Sequence, residues 1–213
     1  MKKFGIIFGI LAAIVVVVLI VVGILALSAG ASYNRLVALN QEVDSQWAQV
    51  ENNYQRRADL IPNLVSTVSG AANFEKSTLV EITQARASVG QVKIDPNKSP
   101  SDPATLQQFD QAQGQLSSAL SHLMVVVERY PNLTATENFQ ELQAQLEGTE
   151  NRISVARMDF NNAVQAYDTA IKSFPAVFFA NSMGFHEKPY FQAQAGAETA
   201  PKVQFNFNGQ TTN

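Results

Sequence analysis

The apolar positions of this chain fall into two regimes. From Phe4 to Leu27, a run of 24 residues, every side chain is apolar or small. Beyond it, apolar residues recur at spacings of three and four, the mark of helices with one buried face. Four such stretches follow. The first reads Leu36, Leu39, Val43, Trp47, Val50, Tyr54 and Ile61; the second runs from Leu64 through Val68, Leu79 and Ile82 to Val89. The third runs from Leu106 through Phe109, Leu116 and Leu123 to Tyr130, and the fourth from Phe139 through Ile153, Phe160 and Tyr167 to Phe174.

The residues between these stretches predict their ends. Pro62 removes a backbone donor and disfavours helical geometry at Ile61, so a break is expected there. The alternative is that Pro62 only kinks one very long helix. Lys93 to Pro103 contains three prolines and reads as a loop. It ends in Asp102-Pro103, an N-cap with proline at the first helical position. Pro131-Asn132 closes the third helix, and Thr134 with Glu137 forms a capping box for the fourth.

Helices of matched length joined by short turns pack as an up-and-down bundle. The expected fold is therefore all-α: a single N-terminal transmembrane helix, then a long antiparallel four-helix up-and-down bundle. The divisions expected are a stub at 1–3, an anchor at 4–27, the bundle at 28–174, and an apolar then polar tail at 175–213.

As a helix, the apolar run would reach about 36 Å against a hydrocarbon core of about 30 Å. Ala26-Leu27-Ser28-Ala29 faintly resembles a signal-peptide cleavage site, but the hydrophobic part of a signal peptide spans only about 7–15 residues. An uncleaved anchor in a bacterial cytoplasmic membrane is expected. Lys2 and Lys3 precede the span, while only Arg35 follows within about 15 residues, which predicts a bundle on the extracytoplasmic side.

With that topology the end of the fourth helix returns towards the bilayer. Phe178, Phe179 and Phe185 cluster there, and cover for the bottom of the core is their first reading. The sharper reading makes them contacts to lipid headgroups or a neighbouring protein. Farther on, Val203, Phe205 and Phe207 alternate with Gln204, Asn206 and Asn208, the period of a strand. Disorder, or strand addition to another chain, are both open for this tail.

Composition narrows the chemistry. Cysteine is absent, so disulfides, thiolate metal sites and a cysteine nucleophile are excluded. The two histidines, His122 and His186, have no second ligand at metal spacing, and no metal or cofactor is expected. The chain has 15 basic and 18 acidic residues; setting aside Lys2 and Lys3 leaves 13 against 18. This acidic balance without a basic stripe argues against nucleic acid. The doublet Arg56-Arg57 reads as a solvated helix face.

Several longer segments resemble one family. They include Tyr33-Asn-Arg-Leu-Val-Ala-Leu, Arg56-Arg-Ala-Asp-Leu-Ile-Pro-Asn-Leu-Val65 and Glu128-Arg-Tyr-Pro-Asn-Leu133. Asn138-Phe-Gln-Glu-Leu142, Thr149-Glu-Asn-Arg-Ile153 and Phe160-Asn-Asn-Ala-Val164 continue the series. From about residue 33 to about 185 the chain resembles the LemA family. The resemblance implies a single N-terminal membrane helix, a helical bundle and no established biochemical activity. It also implies envelope work with partners, among which a TPM-domain protein is one candidate, and relatives that include a magnetosome-biogenesis protein. Family descriptions place the short N-terminus outside, against the lysine reading. Where the family commonly has His-Glu, this chain has Phe74-Glu75.

Polar residues near the apolar seams could be chemistry or glue. Glu128 and Glu150 would serve as a general acid/base pair only if they shared a pocket. The simpler reading is that Glu75, Arg86, Glu128, Glu150, Arg152 and Arg157, with Asn63 and Asn161, pair among themselves and fix helix register. No catalytic residue is expected. The function expected is a non-enzymatic scaffold or adaptor that forms homo-oligomers at the envelope; an enzyme or enzyme subunit with a carboxylate/arginine site is the alternative.

Overall fold

The computed structural model describes residues 2–71 and 74–192, apart from the side chains of 2–13 and 25–27. The described chain is all-helical. Helix α1 spans Lys2–Ser69, α2 Lys76–Gln91, α3 Pro103–Val127, α4 Pro131–Thr134 and α5 Glu137–Lys172. Two 3-10 turns, Ala176–Phe178 and Asn181–Met183, lead through Gly184 (φ 84°) into an extended strap over residues 185–192. The left-handed φ at Gly184 is one that other side chains rarely adopt.

The apolar run forms the first part of α1 and lies outside the core, with Ile14 to Val22 about half exposed. This helix is long and apolar enough to cross a membrane. It continues without interruption into the packed domain, where Leu36, Val43, Trp47 and Val50 are buried.

The expected break at Pro62 is absent: the residue lies inside α1, and the turn comes at Gly70 instead. Leu64 and Val68, assigned by sequence to a second helix, thus belong to the first. The physical reason lies on the neighbouring helix. Proline 62 cannot donate to the carbonyl four residues earlier, that of Ala58. Arg86 Nε on α2 donates to that carbonyl at 3.1 Å. A side chain thus replaces the missing backbone donor, and the helix continues.

The N-cap at the start of α3 is as the sequence predicts. Asp102 accepts from the backbone N–H groups of Ala104 and Thr105 and from the Thr105 hydroxyl, which together lower its carboxyl pKa. The capping box of α5 is not formed. Thr134 ends the short α4 and donates to the Pro131 carbonyl, and Thr136 takes the N-cap position without a side-chain cap bond. The extra turn of α4, started by Pro131, moves the helix start beyond the motif.

Cross-helix contacts give the packing directions. α1 runs antiparallel to α5, since Trp47 meets Phe160 at 5.6 Å and Arg57 pairs with Glu150 farther along. α2 runs antiparallel to α3, with Glu75–Arg129 and Glu81–His122 contacts at 2.8 Å each. The core forms two apolar clusters. The one nearer the apolar run gathers Leu36 to Tyr54, Leu106, Phe109, Ile153 to Ile171 and Phe191. The distal one gathers Ile61 to Phe74, Leu116 to Leu133, Phe139 and Leu146. Each large buried side chain contributes on the order of 1.5–3 kcal/mol. Trp47 adds edge-to-face contacts with Phe109 and Phe160 at 5.3 and 5.6 Å.

The Pro62–Arg86 pairing makes a testable prediction. Arg86→Met lowers stability by about 1 kcal/mol, the usual net value of one hydrogen bond. In a Pro62→Ala background the loss vanishes, because residue 62 then supplies the N–H itself. Denaturant melts of the detergent-solubilised chain, followed by circular dichroism, measure both. An equal loss in the two backgrounds refutes the compensation.

Candidate functional site

Between the two apolar clusters lies a polar layer. Positions 36, 43, 50, 57 and 64 of α1 repeat every seven residues, and four of them are Leu or Val. The fifth is Arg57, 1% exposed. On α3 the same spacing runs 106, 113, 120, 127, and there Gln113 is the buried polar member. The arginine donates from Nη1 to Ser117 Oγ at 2.8 Å and to Glu150 Oε1 at 2.5 Å. From Nη2 it donates to the carbonyl and the side-chain oxygen of Gln113. Its guanidinium also stands 5.0 Å from the centre of the Tyr54 ring. Burial raises the pKa of that phenol. Thus three helices meet at one cation.

One turn towards the membrane end, Arg157 repeats the arrangement in a wetter setting. It pairs with Asp110 at 2.8 Å, donates to Tyr54 Oη at 3.3 Å, and lies over the Phe191 ring at 4.4 Å. The strap is fixed here. Asn161 donates to the Phe191 carbonyl and accepts from its N–H, both at 3.0 Å. The Phe191 ring then stacks on Trp47 and meets Phe160 edge-on. Lower down, Lys188 Nζ reaches Asp44 at 3.2 Å, while Asp44 also accepts the N–H and hydroxyl of Ser99 from the loop between α2 and α3. The Lys188 N–H donates to Asp168 at 3.1 Å, yet burial still raises that carboxyl's pKa. Burial pushes neighbouring Tyr167 up to about 12. Residues 185–192, for which the sequence predicts no element, therefore pack as an extended strap that completes the core.

The residues singled out by sequence have separate fates. Glu150 and Arg157 sit in this region, but they pair with Arg57 and Asp110 rather than with each other. Glu75 pairs with Arg129 at 2.8 Å, Arg86 serves the Ala58 carbonyl, and Arg152 donates to Thr149 Oγ1 at 3.1 Å. Asn63 is exposed. Glu128 is exposed at the C-cap of α3. It stands eleven residues, about 16 Å of helix, beyond Ser117, so Glu128 and Glu150 do not share a pocket. Phe179 and Phe185 pack against the core, Phe185 edge-on to Tyr33 at 5.6 Å. Phe178 is 80% exposed. Val203, Phe205 and Phe207 lie outside the described residues.

Arg57 is the residue the sequence reading assigned to a solvated face, and the structure reverses that assignment. Only its neighbour Arg56 is exposed. The signal was present in the seven-residue spacing, which puts 57 and not 56 on the buried seam.

A cleft of about 430 Å³ opens over the layer, lined by Arg57, Asp110, Gln113, Glu150 and Arg157. Its two cations face two carboxylates at ion-pair distance. Among the described residues no group of three His, Asp or Glu side chains is placed to hold a metal ion. The cleft offers hydrogen bonds in matched pairs, with each arginine already bound to a carboxylate.

Comparison with known proteins finds relatives over most of the chain. The model of the LemA family matches residues 46–205. Magnetosome protein MamQ 2 of Paramagnetospirillum magneticum is 26% identical over 186 residues, covering 78% of this chain and 67% of its own. Magnetosome protein MamQ of Magnetospirillum gryphiswaldense is 26% identical over 182 residues, with the same coverage. Protein LemA of Metamycoplasma hominis is 22% identical over 160 residues, covering 75% of this chain and 68% of its own. None of these three names is that of an enzyme.

The polar layer predicts unequal costs for its members. Arg57→Ala removes the shared cation and its packing and lowers stability by about 3 kcal/mol. Glu150→Gln costs about 1 kcal/mol or less, because Glu150 is 45% exposed and an amide oxygen still accepts from Arg57. Thermal melts of both variants rank the two. Equal losses would show that the carboxylate charge, and not the buried arginine, holds the layer.

Proposed function

The chain belongs to the LemA family, and from that membership we propose a single-pass scaffold or adaptor of the bacterial envelope, not an enzyme. In this reading the packed helices are an antiparallel up-and-down four-helix bundle, presented by its anchor to a partner protein. The observation that carries it is the continuity of α1. One helix supplies the exposed apolar stretch and then the Arg57 seam, with no loop between them. A rod of this kind holds a domain at a set height above a membrane. Two of the relatives carry the magnetosome in their names; for this chain we take from them only work at a bacterial membrane. The matched charges of the cleft support a structural role for its polar groups.

The lysines before the span favour a bundle on the extracytoplasmic side, and our reading adopts that orientation. Ser101 is exposed in the loop before α3, and a chain without cysteine gives Ser101→Cys a clean background. A maleimide that cannot cross the cytoplasmic membrane should label this variant in intact cells. Labelling only after lysis would put the bundle in the cytoplasm.

The apolar surface at the foot of the bundle fits lipid headgroups. Phe174 and Phe178 are 74% and 80% exposed, and Val177 and Met183 lie nearby, each about half exposed. The same segment packs on α1 beside Tyr33 through Phe185. Tyr33 stands six residues, about 9 Å, above the end of the apolar run at Leu27. The headgroup layer is about 5–8 Å deep on each side of the hydrocarbon, so Tyr33 stands just beyond it, and the reading requires the exposed Phe174 and Phe178 rings to reach down into a zone that aromatic side chains favour.

A fluorescent probe on Phe178→Cys, in the full chain in vesicles, should be quenched by a headgroup nitroxide. The same probe on Val125→Cys, near the distal end of α3, should not. If neither is quenched while an Ile20→Cys probe is quenched by an acyl-chain nitroxide, the anchor stands and the lipid-facing foot is refuted.

A further inference from the structure

Helix α5 carries a second seven-residue pattern, on the side away from the core. Its buried seam is Leu146, Ile153, Phe160 and Tyr167. Residues two and five places on from each of these stand about 200° and 140° around the helix, on its outer face. One such set reads Gly148, Val155, Asn162 and Thr169. The other reads Ala144, Asn151, Met158 and Gln165. All are exposed apart from the half-buried Gly148, and none is charged. The stripe spans about 38 Å and ends at the next positions of each set, Glu141 and Lys172.

A helix face that meets only water has no need of this pattern. On α1, exposed residues at the same alternating spacing are Glu42, Ser45, Gln49, Asn52, Arg56 and Asp59, half of them charged. On α5 the centre of the stripe is Val155 and Met158, 53% and 56% exposed. Loss of charge around exposed apolar side chains is the mark of the centre of a protein interface.

The edges of the stripe carry the complement. Glu147 is exposed on one side of it and Arg152 on the other. Glu147 accepts from the Gln143 amide, and Arg152 donates to the Thr149 hydroxyl. Among the described residues neither has an ion-pair partner within the chain. Arg152 leans back along the helix, so that a Cβ on Gly148 would stand 3.7 Å from its Nη1. The cation is thus near the level of Glu147. An acid and a base five residues apart, on opposite edges of a heptad stripe, meet between the two helices of a parallel coiled coil. The next such couple, Ser154 and Asp159, opposes no like charges.

Direction comes from the membrane, and here the inference rests on the anchored reading above. In every copy α1 leaves the bilayer and α5 runs back towards it. Two copies in one membrane therefore present α5 in parallel and at one height. Each residue of the stripe then faces its own counterpart. An Asn162 pair at such a position favours this register at some cost in stability, as seam asparagines do. A stripe this polar binds weakly between free molecules, but confinement to one membrane raises the effective concentration.

We propose that the outer stripe of α5, from Ala144 to Thr169, docks on the same stripe of a second copy of this chain. The two helices lie parallel and in register. Val155 and Met158 form the centre of the contact, and Glu147 of each copy faces Arg152 of the other.

The test uses the full chain in carbonate-washed membranes. With one cysteine per chain, every disulfide joins two copies. Under copper-phenanthroline oxidation, Met158→Cys should reach twice the chain mass at least about tenfold faster than Val80→Cys on α2, which has similar exposure. Equal rates would overturn the proposal. Adding Val155→Asp to Met158→Cys sets two carboxylates against each other and should slow the link at least about tenfold. An unchanged rate would show that the anchors alone bring the chains together, which also overturns it. Adding Glu147→Arg instead should slow the link about fivefold, and Arg152→Glu on top of it should restore the rate. A double variant that stays slow would refute the parallel register. A chain that leaves the membrane in carbonate would sink the anchored reading, and the parallel pairing with it. A retained chain without the Met158→Cys link would sink the pairing alone.

Discussion

The arrangement of the helices depends on one buried cation. Arg57 stands where two apolar clusters would otherwise merge, and it donates hydrogen bonds to α3 and α5 at once. Sliding either helix by a turn would leave the guanidinium in an apolar layer without acceptors, at a cost of several kcal/mol. An apolar residue there could match or exceed its stability, since removing two charges from water offsets much of their attraction. What the arginine supplies is register. Seam polar residues in coiled coils act in the same way, by making one alignment better than its neighbours.

Two further polar contacts make that layer possible. α1 must reach beyond Arg57 far enough to bury Ile61, Leu64 and Val68, yet Pro62 interrupts its hydrogen bonds on the way. The donation from Arg86 to the Ala58 carbonyl restores the balance and ties α2 to α1 at that level. At the other end, Asn161 holds the main chain of Phe191 with a two-way amide contact, the pattern that a neighbouring strand would supply. The strap lies across Trp47 and completes the cover that Phe109 and Phe160 give it. In each case a side chain does the hydrogen bonding of a missing backbone partner.

These substitutions mark the limit of what the sequence discloses. Periodicity finds the apolar run, the helices and the loop before Asp102, because each reflects local repetition or a cap formed within four residues. Pro62 misleads because its compensation comes from Arg86, 24 residues away in sequence. The Thr134–Glu137 motif misleads because Pro131 starts a short turn that shifts the cap to Thr136. Arg57 was legible in principle, from a seven-residue spacing that 36, 43, 50 and 64 define. A pattern restricted to apolar residues passes over it. The strap carries almost no periodic signal, as an extended segment of eight residues held by Asn161 and Lys188 has none to give.

The continuity of α1 also bears on what kind of function the fold can serve. A catalytic site gains from groups whose charges are left unbalanced, so that they respond to substrate. Here Arg57 and Arg157 meet Glu150 and Asp110, and the carboxylates proposed for acid/base work stand on different levels of the bundle. Conversely, a rod that joins lipid to core without a hinge transmits position. The exposed phenylalanines at the foot and the polar layer above them lie on the same frame, fixed to one helix. On the scaffold reading proposed above, a partner bound at the distal end would meet it at a height and rotation set by α1.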